Sequence, residues 1–91
     1  MLPILWRPEA QSDLAAIFAY IARRNPQAAT DLYSQIERLV SQLPQHPYLY
    51  RPGRVPSTRE LIAHPNYIVV YRVAAAAIEI VSALHSRQKY P

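Results

Sequence analysis

Ile21-Ala22-Arg23-Arg24-Asn25-Pro26-Gln27-Ala28-Ala29 is the stretch on which the fold turns. Pro26 disfavours helical geometry at the residue before it, so a helix arriving from the N-terminal side stops near Arg23 or Arg24. Asparagine is a preferred N-cap and proline a preferred first helical residue, so Asn25-Pro26 starts a second helix at once. Upstream, Ala10, Leu14, Ile17, Phe18 and Ile21 recur at helical spacing, and Pro8-Glu9 suits a first turn. Downstream, Ala29, Leu32, Ile36, Leu39, Val40 and Leu43 form a second apolar stripe that Pro44 ends. Two amphipathic helices joined by so short a turn pack as an antiparallel hairpin.

Before the hairpin, residues 2–6 are a short apolar run ending in Trp6, read as a first strand with Pro3 at its start or edge. Trp6 reads as an anchor in the core or at the sheet edge. After the hairpin, Pro44, Pro47, Pro52, Gly53 and Pro56 break up residues 44–58. The large side chains of Tyr48, Leu49 and Tyr50 predict that this loop folds back over the helices. Three strands follow. Arg59–Ala63 is the first. Asn66–Val73 alternates, with Tyr67, Val69, Tyr71 and Val73 opposite Ile68, Val70 and Arg72. Ile78–His85 is the third, with Ile78, Ile80, Ser82 and Leu84 predicted on one face. The four alanines at 74–77 offer no residue suited to positive φ, so a loose loop is expected there. The order predicts an α+β domain: a short N-terminal strand, an antiparallel helix hairpin, and a three-stranded antiparallel sheet covered by helices on one face.

Ninety-one residues form a single domain spanning 1–91, and 51% hydrophobic with 18% charged residues is a globular composition. Without cysteine there is neither a disulfide framework nor a Cys-based zinc site. No apolar run nears the roughly 20 residues of a membrane span, and the N-terminus lacks the pattern of a signal peptide, so the expectation is a cytoplasmic protein. Net charge is +4 and lies in the second half. Residues 1–45 carry Arg7, Arg23, Arg24 and Arg38 against Glu9, Asp13, Asp31 and Glu37. Residues 46–91 carry Arg51, Arg54, Arg59, Arg72, Arg87 and Lys89 against Glu60 and Glu79. One-sided positive charge suits an acidic partner, and serves equally for solubility.

Trp6 with Pro8-Glu9-Ala10 and Asp13-Leu14, Asn25-Pro26 with Ala28-Ala29, Thr58-Arg59-Glu60-Leu61, Tyr67–Val73, and the ending Leu84–Pro91 occur in this order over nearly the whole chain. The pattern resembles the RelE/ParE toxin superfamily of type II toxin–antitoxin systems. That resemblance implies a compact toxin wrapped by the C-terminal segment of an acidic antitoxin, a hetero-oligomer with no membrane partner and no cofactor. RelE-like members cleave mRNA on the ribosome; ParE-like members poison DNA gyrase without a recognised catalytic site of their own.

Within the resemblance, RelE-like chains carry an arginine after the tyrosine of the penultimate strand, where this chain has Ile68. Cleavage of RNA needs cations for the transition state and groups that move protons. The would-be site is depleted, and the expectation is the ParE-like branch with no catalytic residue. If the chain were a ribonuclease, His85 with Arg59 and Arg87 would do the chemistry; a third reading is a non-toxic module that only docks an antitoxin. Arg59, Arg87, Lys89 and Tyr90 are the candidate target contacts. Each has a plainer alternative: a cross-strand Arg59–Glu60 charge pair, solvated charges at Arg87 and Lys89, and packing of Tyr90 on the sheet edge. His85 reads equally as a strand end bonded locally. His46 and His64 precede prolines without acidic or cysteine residues at metal-ligand spacing, so no metal is expected.

Overall fold

Pro8 opens the first helix of the computed structural model, which describes residues 1–88. The elements are β1 (Ile4–Trp6), α1 (Pro8–Arg24), α2 (Pro26–Ser41), β2 (Arg51–Pro52), β3 (Arg59–His64), β4 (Tyr67–Val73) and β5 (Ile78–His85). Asn25 alone separates the helices, in extended geometry at φ −155° and ψ 92°. Its backbone N–H donates to the Ile21 carbonyl at 2.8 Å, and its side-chain oxygen accepts from the Ala28 amide at 3.1 Å. One residue therefore ends α1 and caps α2, as the Asn-Pro pair predicts.

The sheet order is β1-β5-β4-β3-β2, with β1 parallel to β5 and every other pair antiparallel. The helix hairpin and strands β2–β4 all lie between β1 and β5, a connection long enough for these two to run parallel. The sheet is thus five-stranded and mixed, where the sequence reading had one strand fewer. The added strand, β2, is two residues long and includes Pro52. It lies at the sheet edge, where a missing N–H is tolerated, and is too short to carry an alternation.

Leu14, Leu32, Ile36, Val40 and Leu43 from the helical side pack on Leu61, Val69, Tyr71, Ile78 and Ile80 from the sheet. Tyr71, fully buried, is the largest of the fully enclosed side chains, and its hydroxyl donates to the Pro47 carbonyl at 2.7 Å. A second, smaller cluster of Ile68, Val70 and Leu84 lies on the other face of the sheet. The alternation expected for β4 holds. That of β5 does not run through: Val70 pairs with Ser82 but Tyr71 with Ile80, so Val81 is an extra residue. This bulge moves Ser82 and Leu84 to the face away from the helices and leaves Ala83 on the helix side with Ile78 and Ile80. Beside the bulge, the Asp13 carboxylate of α1 accepts the Ala83 amide at 3.0 Å and so ties helix to sheet.

The alanine link is tighter than expected. The Ala74 amide donates to the Ala77 carbonyl at 2.9 Å, and Ser57 is the one described non-glycine residue with positive φ. The turn thus closes without left-handed geometry. The 44–58 loop is only half as expected. Tyr50 packs edge-on against Tyr71, while Tyr48 and Leu49 stand in solvent.

Candidate functional site

Of the residues that a ribonuclease reading requires, His85 and Arg87 lie together in the turn after β5, and Arg59 stands on the other side of β4. Arg59 pairs with Tyr71 in the register, and His85 pairs with Tyr67. Four residues along β4 set these rungs about 13 Å apart. Arg59 is also engaged. Its Nη1 donates to the Tyr50 carbonyl at 2.7 Å and the Tyr48 carbonyl at 3.3 Å, and the guanidinium lies 5.0 Å from the Tyr48 ring centroid. It braces the 44–58 loop.

His85 has its basic nitrogen occupied. Nδ1 accepts the Arg87 amide at 3.1 Å, closing the turn after β5, and the ring packs edge-on against Tyr67 with centroids 5.3 Å apart. His64 has the same arrangement, accepting the Asn66 amide at 3.1 Å on the other side of Tyr67. Arg87 is exposed. Lys89 and Tyr90, the remaining candidate contacts, lie outside the described residues. No group of three or more His, Cys, Asp or Glu that could hold a metal occurs among the described residues. None of the described helices is long and apolar enough to cross a membrane.

Charges on the face away from the helices are paired in a way that sequence proximity does not suggest. Arg59 and Glu60, as neighbours on a strand, point to opposite faces and form no pair. Glu60, 3% exposed, instead receives Arg51 at 2.9 Å across the β2–β3 ladder and Arg54 at 3.8 Å. Glu79 receives Arg72, its partner across β4–β5, at 3.0 Å, and Arg7, from the end of β1, at 2.5 Å. Hydrogen bonding from Arg7 is the largest cause holding the Glu79 carboxyl below its ordinary value, against a smaller opposing effect of burial. A carboxylate lowered in the folded state adds stability above its unfolded pKa of about 4.3, and that increment is lost as pH falls through the folded value. Glu79→Gln is therefore expected to unfold at lower denaturant concentration than the parent at pH 7, with the gap narrowing as pH falls below the ordinary carboxylate range. A gap that stays constant as pH falls would contradict the assignment.

The feature that the sequence reading missed is a groove of about 500 Å³ between α1, α2 and β1. Ile4 and Trp6 form one wall; Leu14, Ala15 and Phe18 of α1 and Tyr33, Ile36 and Val40 of α2 form the rest. Phe18 and Tyr33 hold each other with ring centroids 5.5 Å apart, and Tyr33 remains half exposed. Glu37 is the charged residue of the lining. The clue in the sequence is Tyr33, an aromatic on α2 that stands outside the core-facing stripe.

Comparison with known proteins gives these features a context. Residues 4–90 match the family described as ParE toxin of type II toxin-antitoxin system, parDE. The Sinorhizobium fredii protein Y4kP is 38% identical over 89 residues, covering 97% of this chain and 92% of that protein. Toxin RelE2 of Caulobacter vibrioides is 31% identical over 88 residues, covering 94% and 97%. The chromosomal ParDE system of P. aeruginosa contains a chain of TM-score 0.82 and 26% identity, covering 93% of this chain and 96% of that one.

Proposed function

We propose that this chain, which belongs to the ParE toxin family of type II toxin–antitoxin systems, arrests growth by binding DNA gyrase and stabilising its cleaved-DNA complex. It does so through protein–protein contact, with no chemistry of its own. The observation that carries this reading is the apolar centre of the sheet face turned away from the helices. Ile68, Val70 and Leu84 are buried there, at the position where a nuclease would need cations. The engagement of Arg59 by loop carbonyls and the occupied Nδ1 of His85 support the same reading.

The antitoxin partner is assigned to the groove between α1, α2 and β1. Its lining is largely apolar and open, which suits the apolar face of an amphipathic helix, anchoring at i, i+3 or i+4, and i+7. Apolar burial supplies the affinity. The test in cells is to induce the toxin without antitoxin and follow DNA and mRNA together. Chromosome breaks should appear while full-length transcripts persist. Transcript cleavage preceding any DNA breakage would instead establish the ribonuclease reading.

A further inference from the structure

The loop between α2 and β3 is held firmly, yet it presents two large side chains to water. The Tyr71 hydroxyl donates to the Pro47 carbonyl, Arg59 donates to the carbonyls of Tyr48 and Tyr50, and the Leu49 amide donates to the His46 carbonyl at 3.2 Å. Tyr50 seals the base of the loop against Tyr71. Apart from the Arg59 guanidinium, 5.0 Å from the Tyr48 ring centroid, these braces act on the backbone or on Tyr50. Tyr48 remains 66% exposed and Leu49 69% exposed. Ordering a loop costs roughly 1–2 kcal/mol per residue in backbone entropy, and these two side chains, mostly in water, recover little of it on folding. Fixed backbone with exposed aromatic and aliphatic groups is the state that binding elsewhere must otherwise create.

The surroundings define the partner's chemistry. Arg51, Arg54 and Arg59 belong to the same sheet edge, and the acid among them, Glu60, is buried. The edge is therefore net positive, with Arg51 and Arg54 on Glu60 at one face and Arg59 against the Tyr48 ring at the other, and tyrosine and arginine are the residue types enriched in binding hot spots. Neither Tyr48 nor Leu49 lines the groove assigned to the antitoxin.

We propose that Tyr48 and Leu49 form the toxin's target-contacting tip, which enters an apolar pocket with an acidic rim on a folded protein. This rests on the reading of the chain as a toxin with a protein target. The arginines at the edge orient the approach, and the braced backbone keeps the tip in its bound shape.

The test is the double variant Tyr48→Ala/Leu49→Ala in the full chain, compared with the parent for toxicity, antitoxin affinity, melting and nucleic-acid binding. Colony formation on induction should rise about 100-fold over the parent, the loss expected when a hot spot is removed. Antitoxin affinity should stay within about threefold, and the melting temperature should be unchanged because both side chains are exposed. Undiminished toxicity overturns the proposal, as does a parallel loss of antitoxin affinity, which would make the tip part of that interface. A large fall in melting temperature overturns it by making the pair structural. Loss of binding to a 40-mer oligonucleotide, used at about 40 nucleotides as a general probe, would assign the tip to nucleic acid instead. A parent that does not arrest growth removes the toxin reading itself, and the tip's role with it.

Discussion

Ala15→Arg is expected to weaken antitoxin binding about 100-fold, or roughly 3 kcal/mol, while leaving the toxin as stable as the parent. Ala15 is exposed on α1 and lines the groove, so a long cationic side chain there reaches into the space an apolar helix face would fill. Arginine is nearly as good a helix former as alanine, costing only a few tenths of a kcal/mol, and no buried contact is lost on α1. Isothermal titration against the cognate antitoxin gives the affinity, and a thermal melt of the free toxin gives the control. In cells the variant should be lethal even with antitoxin co-expressed, because neutralisation fails before toxicity does. Unchanged affinity would move the antitoxin to another surface.

Tyr71→Ala is expected to remove about 4 kcal/mol, the range for truncating a large buried aromatic side chain. A domain of this length holds about 5–14 kcal/mol in total, so the variant should be largely unfolded at moderate denaturant. Tyr71→Phe separates the two roles of the residue. It keeps the ring against Tyr50 and the core but removes the donor to the Pro47 carbonyl, at a cost of about 1 kcal/mol. The phenol has a further signature at alkaline pH. Burial, the largest cause, raises its pKa in the folded state above the ordinary 10. Stability from such a group is complete below the unfolded pKa and lost as pH rises through the folded one. The alkaline loss of stability should therefore be smaller in Tyr71→Phe than in the parent. Chemical denaturation at neutral pH and above that range checks both statements; equal losses for Ala and Phe would contradict the division.

The helix hairpin was legible in the sequence because Asn25-Pro26 is a local instruction that nothing tertiary overrides. Tyr67–Val73 was legible as a strand because a short run of aromatic and β-branched residues favours extended structure. The bulge at Val81 was not, because it depends on a pairing register with β4 and on the Asp13 contact from a distant helix. β2 was hidden by its length and its proline. The separation of Arg59 from Glu60 follows from strand alternation alone and needed only that rule. Arg59, a candidate target contact, is instead committed to carbonyls of the 44–58 loop, and His85 to the turn at Arg87. The groove, hinted at only by Tyr33, and the exposure of Tyr48 and Leu49, expected to fold back over the helices, escaped the sequence. Both arise where elements far apart in sequence meet, and a tyrosine in a sequence does not declare whether its ring will be covered.

Inhibition by binding rather than by turnover is tested through supercoiling by purified gyrase titrated with folded toxin. Inhibition that scales with the toxin-to-gyrase ratio and is accompanied by trapped, cleaved DNA is the predicted result. Full supercoiling at a large toxin excess, with the same preparation cutting mRNA in a translating extract at substoichiometric amounts, would contradict it.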